Sequence, residues 1–154
     1  MGIAYVGFGT NMGDRAENIK EAVSSINLLP ETKVTKISKI YETEPWGFKD
    51  QKMFLNGALK VETELSPNAF LGALLGIEAG MGRVRTIKNG PRIIDLDLLF
   101  YDDLVLNSKE LVLPHPRIFE RAFVLKPLGD ICNSEEILTA LENIDKSGVT
   151  EYKF

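Results

Sequence analysis

Residues 90–100, Gly-Pro-Arg-Ile-Ile-Asp-Leu-Asp-Leu-Leu-Phe, place two aspartates inside an apolar run opened by a Gly-Pro turn. Such a run reads as a buried strand. Residues two apart on a strand share a face, roughly 6.5 Å apart. Asp95 and Asp97 therefore stand side by side, with Leu96 and Leu98 packed behind them. Two carboxylates on a core strand repel one another and lose water, so something must neutralise them. A divalent cation does this, and an all-oxygen pair favours Mg²⁺ over zinc. Solvated aspartates at a strand end, or aspartates paired with Arg92, are the plainer alternative.

The segment just upstream shifts that balance. Residues 82–92, Gly-Arg-Val-Arg-Thr-Ile-Lys-Asn-Gly-Pro-Arg, carry four cations and no acid, and lead straight into the aspartate strand. A basic run is usually a solvated face. Cations beside a carboxylate pair also suit a metal–triphosphate, with the metal on the acids and phosphate oxygens on the arginines.

The rest of the chain supplies a frame. Its 154 residues suffice for one domain with a core, and a net charge of −4 gives no support to a nucleic-acid binder. The single cysteine, Cys132, excludes an internal disulfide and fits a cytoplasmic setting, and no apolar run reaches membrane-spanning length. Ile3–Phe8 reads as a strand, and Gly7, Gly9 and Gly13 read as a tight strand-to-helix turn. Asp14 caps a helix carrying Ile19, Ala22, Val23 and Ile26 at helical spacing, with Glu17 completing a capping box. Val34–Thr43 and Leu55–Thr63 read as strands. Ser66-Pro67 starts a second helix, with Glu78 near its far end. Phe119–Leu125 reads as a helix stopped by Pro127, Ser134 starts another, and the tail from Lys146 carries no signal. The order predicts one α+β domain over 1–154: a ferredoxin-like antiparallel sheet with helices on its faces, three layers deep, plus extra C-terminal helices.

The run Lys88-Asn89-Gly90-Pro91-Arg92-Ile93-Ile94-Asp95-Leu96-Asp97-Leu98-Leu99 closely resembles the signature of the 6-hydroxymethyl-7,8-dihydropterin pyrophosphokinase family. Gly9-Thr10-Asn11, Tyr41 to Gly47, Phe54-Leu55-Asn56, Gly82 to Arg85 and Leu113-Pro114-His115 resemble its other blocks, in order. The resemblance implies transfer of pyrophosphate from ATP to a hydroxymethyl pterin in folate biosynthesis, with AMP released. It implies two Mg²⁺ ions on Asp95 and Asp97, with Arg83 and Arg92 also catalytic. Glu78, Arg85, Lys88, Leu98, His115 and Arg121 would serve ATP. Thr43, Pro45, Trp46, Phe54, Asn56 and Phe123 would form the pterin pocket. A monomer, and contact with neighbouring folate-pathway enzymes, are compatible with it. Lys88-Asn89 stands where the family often has Arg-Trp, replacing a guanidinium fork by a point charge. On the residues alone, a metal-dependent phosphodiester hydrolase and a non-catalytic ligand-sensing module remain alternatives.

Overall fold

The computed structural model describes residues 1–45, 50–83 and 91–153. Among these, the chain runs β1 (Gly2–Thr10), α1 (Arg15–Asn27), β2 (Thr32–Ile37), β3 (Ile40–Thr43), β4 (Phe54–Thr63), α2 (Pro67–Gly80) and β5 (Asp95–Tyr101). A small hairpin of β6 (Leu106–Asn107) and β7 (Val112–Leu113) follows, then α3 (Ala122–Ile131), α4 (Glu135–Asn143) and β8 (Val149–Tyr152). The main sheet is antiparallel, in the order β5-β1-β4-β3-β8, with β2 also on β4. This is the expected ferredoxin-like βαββαβ frame.

Each helix is placed by an apolar stripe. The Asp14 side chain caps α1 by accepting from the Glu17 N–H at 3.1 Å, and Ser66 caps α2 with Pro67 in the first turn. Ile19, Ala22 and Ile26 of α1 and Phe70 and Leu74 of α2 bury against Val6, Leu55, Leu59 and Leu96 on one sheet face. Leu125, Leu128 and Ile131 of α3, with Ile137 of α4, bury against Ala58 and Leu99 on the other. The result is the three-layer α/β/α arrangement.

Three local expectations need correction. The stretch Val34–Thr43 is two strands, because Ser38 turns inward, where its N–H donates to Ala58 O and its Oγ accepts from the Ala58 N–H. The helix expected to stop at Pro127 instead runs through it to Ile131, and is preceded by a separate short turn over Ile118–Glu120. A proline inside a helix costs about 3 kcal/mol. Burying Leu125, Leu128 and Ile131 recovers about 1.5–3 kcal/mol each, so the stripe outweighs the break. The tail, silent in sequence, contributes β8, paired to β3 with Ile40 opposite Tyr152.

Candidate active site

The α3 face of the sheet does not fill completely. Beyond Ala58 and Leu99 it opens into a cleft whose floor is the end of β1 and its neighbours. Gly7 lies opposite Asp97, and Gly9 lies between Asp95 on β5 and Asn56 on β4. These two glycines are strand residues; only Gly13 of that group has a positive φ, 68°. Their role is therefore space, not the tight turn expected. A Cβ on Gly9 would fall 2.6 Å from Asn56 Oδ1, and one on Gly7 would fall 3.3 Å from Leu99. Glycine inside a strand marks this kind of close approach, a signal in Gly7-Phe8-Gly9 that the turn reading passes over.

One end of the cleft is acidic and cationic. Asp95 and Asp97 both line it, since the strand period puts them on one face. Arg83 Nη1 donates to Asp95 Oδ1 at 2.8 Å, and Arg92 Nη1 donates to Asp95 Oδ2 at 2.7 Å. Arg83 Nη1 also donates to Glu78 Oε2 at 2.6 Å. Glu78 is 3% exposed, and the same Oε2 accepts from the Leu96 N–H at 2.7 Å. It thus ties the end of α2 to the start of β5. Burial opposes the charge on Arg83, but Asp95 and Glu78 outweigh it and raise its pKa further.

Asp97 is treated differently. Among the described residues no hydrogen bond or ion pair is made to its carboxylate. Burial, then the charges of Asp95 and Glu78, push its pKa up to about 7. A half-buried carboxylate crowded by other acids is a donor set a divalent cation relieves. No group of three or more His, Cys, Asp or Glu among the described residues forms a closed cage. Such a cation would depend on oxygens from a ligand as well as from Asp95 and Asp97, the usual arrangement for Mg²⁺.

The other end is aromatic and amide-lined. Phe54, Asn56, Thr43 and Phe123 line it. Asn56 Nδ2 donates to Thr43 Oγ1 at 2.5 Å, which fixes the amide. The Arg92 guanidinium lies over the Phe54 ring at 5.7 Å, and that of Arg121 over Phe123 at 5.5 Å. The two ends are thus linked by arginines stacked on the aromatic walls. Burial and then Arg117 lower the pKa of Arg121, with Asp97 and Asp95 pulling the other way.

The other expected residues are placed unevenly. The His115 N–H donates to Leu99 O, and its Nδ1 accepts from the Arg117 N–H at 3.2 Å. Burial, then Arg121, lower its pKa, so the neutral ring is favoured with its proton on Nε2. Pro45 is buried at the edge of β3. Leu98, expected beside ATP, is 3% exposed with its side chain in the α1/α2 core, on the face away from the aspartates. Glu78 sits behind Asp95 with Oε2 held by Arg83 and Leu96, so it supports the site rather than facing the cleft. Trp46, Arg85 and Lys88 lie outside the described residues.

The family model described as 7,8-dihydro-6-hydroxymethylpterin-pyrophosphokinase (HPPK) matches residues 5–133. The chain is 40% identical over 151 residues to 2-amino-4-hydroxy-6-hydroxymethyldihydropteridine pyrophosphokinase of Bacillus subtilis, covering 98% of this chain and 90% of that one. It is 43% identical over 151 residues to the protein of the same description in Methylorubrum extorquens, covering 95% and 96%. Among solved structures, HPPK-DHPS of Plasmodium falciparum with pteroate superposes with a TM-score of 0.71 at 18% identity. That likeness, which shows the fold, covers 97% of this chain and 45% of the other. With matched residues spanning both the aspartate strand and the aromatic end of the cleft, this chain belongs to the 7,8-dihydro-6-hydroxymethylpterin-pyrophosphokinase family.

Proposed function

We propose that the cleft transfers the pyrophosphoryl group of ATP to the hydroxymethyl group of 6-hydroxymethyl-7,8-dihydropterin, a step of folate biosynthesis. The observation that carries this reading is the joining of two unlike half-sites on one glycine-floored sheet face. Asp95 and Asp97 lie at one end, and Phe54, Asn56 and Phe123 at the other. A flat, apolar-faced heterocycle with a polar edge suits the second half, where Asn56 and Thr43 offer hydrogen bonds along that edge. A triphosphate suits the first, where Arg92 and Arg121 line the cleft as cationic donors and Arg83 adds its charge from behind Asp95.

The hydroxymethyl oxygen forms a bond to the β-phosphorus as the bond to the α–β bridging oxygen breaks. AMP leaves with that oxygen, and the hydroxyl proton is released. Phosphoryl chemistry of this kind needs positioning and charge stabilisation more than covalent help. When bound, Mg²⁺ would neutralise phosphate charge, held by Asp95 and Asp97. Asp95, with an oxygen on each of two arginines, also holds Arg83 and Arg92 in place beside it. Neutral His115, with Nε2 as donor, and Arg121 complete the ATP side. Trp46, Arg85 and Lys88 keep the roles that the family resemblance implies.

AMP release from MgATP, with and without the hydroxymethyl pterin, tests this directly. AMP should form only when the pterin is present. AMP or inorganic phosphate released without the pterin would point to a hydrolase. Binding of both ligands with no AMP would point to a sensing module.

A further inference from the structure

Asn11 directly follows β1 and is 2% exposed, yet nothing in the reaction above uses it. Its amide is engaged at both ends. Nδ2 donates to Gln51 Oε1 and to the main-chain O of Lys52, both at 2.9 Å. Oδ1 accepts from the Arg92 N–H at 2.9 Å, and the Asn11 N–H donates to Arg92 O at 3.1 Å. Only a side-chain amide can donate twice to one segment and accept from another at this position; a carboxylate has no donor, and an aliphatic chain has neither.

The partners of Asn11 are 40, 41 and 81 residues away in sequence, so one buried side chain ties two distant segments, at 51–52 and at 92, to the end of β1. Both lead to the cleft. Lys52 lies two residues before Phe54, and Arg92 is the residue whose guanidinium lies over the Phe54 ring and bonds Asp95. Asn11 therefore sets the distance between the main chains that carry this ring and this guanidinium.

We propose that Asn11 is a positioning residue for the transfer step. It fixes the Arg92 main chain against the segment leading to Phe54, so that the guanidinium meets Asp95 and the phosphates in register with the pterin half-site. This rests on the function proposed above, because the work of Arg92 on phosphates belongs to that reading. A displacement of about 1 Å is enough to slow an aligned reaction by about a hundredfold.

The test is single-turnover AMP formation at saturating MgATP and hydroxymethyl pterin, in the parent, Asn11→Ala, Arg92→Ala and the double variant. Each single change is expected to slow the reaction at least about tenfold, while Asn11→Ala binds MgATP within about threefold of the parent. Because Asn11 acts through Arg92, the double variant should be no more than about threefold slower than Arg92→Ala alone. Losses that multiply, or an Asn11→Ala rate within about twofold of the parent, would overturn the proposal. Should Asn11→Ala fail to fold, Gln51→Ala removes one of the same contacts from a half-buried position. It is expected to slow the parent by about threefold or more and to have no effect once Arg92 is alanine. No slowing in the parent, or equal slowing in both backgrounds, would overturn it. A parent that makes no AMP would sink the proposed function itself, which keeps the two failures distinct.

Discussion

Asp97 is the least balanced residue of the site. Arginines take both oxygens of Asp95, whereas Asp97 is surrounded by burial and by the like charges of Asp95 and Glu78. Replacing it by alanine should lower AMP formation by about a thousandfold or more at saturating Mg²⁺, because a pair of ligands becomes one. Near-normal turnover would remove the two-carboxylate site. Stability should respond in the opposite sense. The folded state holds the Asp97 proton up to about pH 7, well above the range in which an unfolded carboxylate releases it. Between those limits the folded state binds more protons, so this group's contribution to stability falls as pH rises through the window. Asp97→Asn should therefore unfold later than the parent in chelator at pH 8, by about 2–4 kcal/mol, with the advantage fading toward pH 4. Denaturant melts at the two pH values measure it. This residue pair is legible in sequence because strand alternation alone puts Asp95 and Asp97 on one face. Glu78 is not, since its burial depends on Arg83 and on the Leu96 N–H arriving from another segment.

At the scale of elements, β1 and α3 shape the cleft from below and from the side. The empty space above Gly7 and Gly9 belongs to the site as much as any side chain does. Gly9→Ala would put a methyl carbon 2.6 Å from Asn56 Oδ1 and force that amide away from Thr43. Pterin affinity should fall about tenfold or more, and MgATP affinity should change by less than about twofold. Calorimetric titration of each ligand separates the two, and equal losses would show that the change is not local to the aromatic end. Where the sequence misleads, a neighbouring element decides. Pro127 reads as a stop, but the sheet rewards Leu128 and Ile131 for continuing the helix. The tail reads as silent because its residues are mostly exposed, and β3 supplies the hydrogen bonds that make β8 a strand.

The described residues build one main sheet with an apolar layer on each face, and the cleft is the part of one layer that is left open. The sheet is common to both layers, so they should melt together. Leu74→Ala on the α2 side and Leu128→Ala on the α3 side are both fully buried truncations, each expected to lower stability by about 2–5 kcal/mol. Each variant should still unfold in a single calorimetric transition; two transitions in either would show that the layers fold independently. The alternation of strands and amphipathic helices makes this frame readable from sequence. The path of the chain at Arg121 is less so, because its break between the short turn and α3 is set by packing. The most direct measurement is a crystal structure with Mg²⁺, a non-hydrolysable ATP analogue and the hydroxymethyl pterin together. The pterin should lie between Phe54 and Phe123 above Gly9, and the β- and γ-phosphates at Asp95 and Asp97. The hydroxymethyl oxygen should lie about 3–3.5 Å from the β-phosphorus. A pterin seated elsewhere, or phosphates remote from the two aspartates, would contradict it.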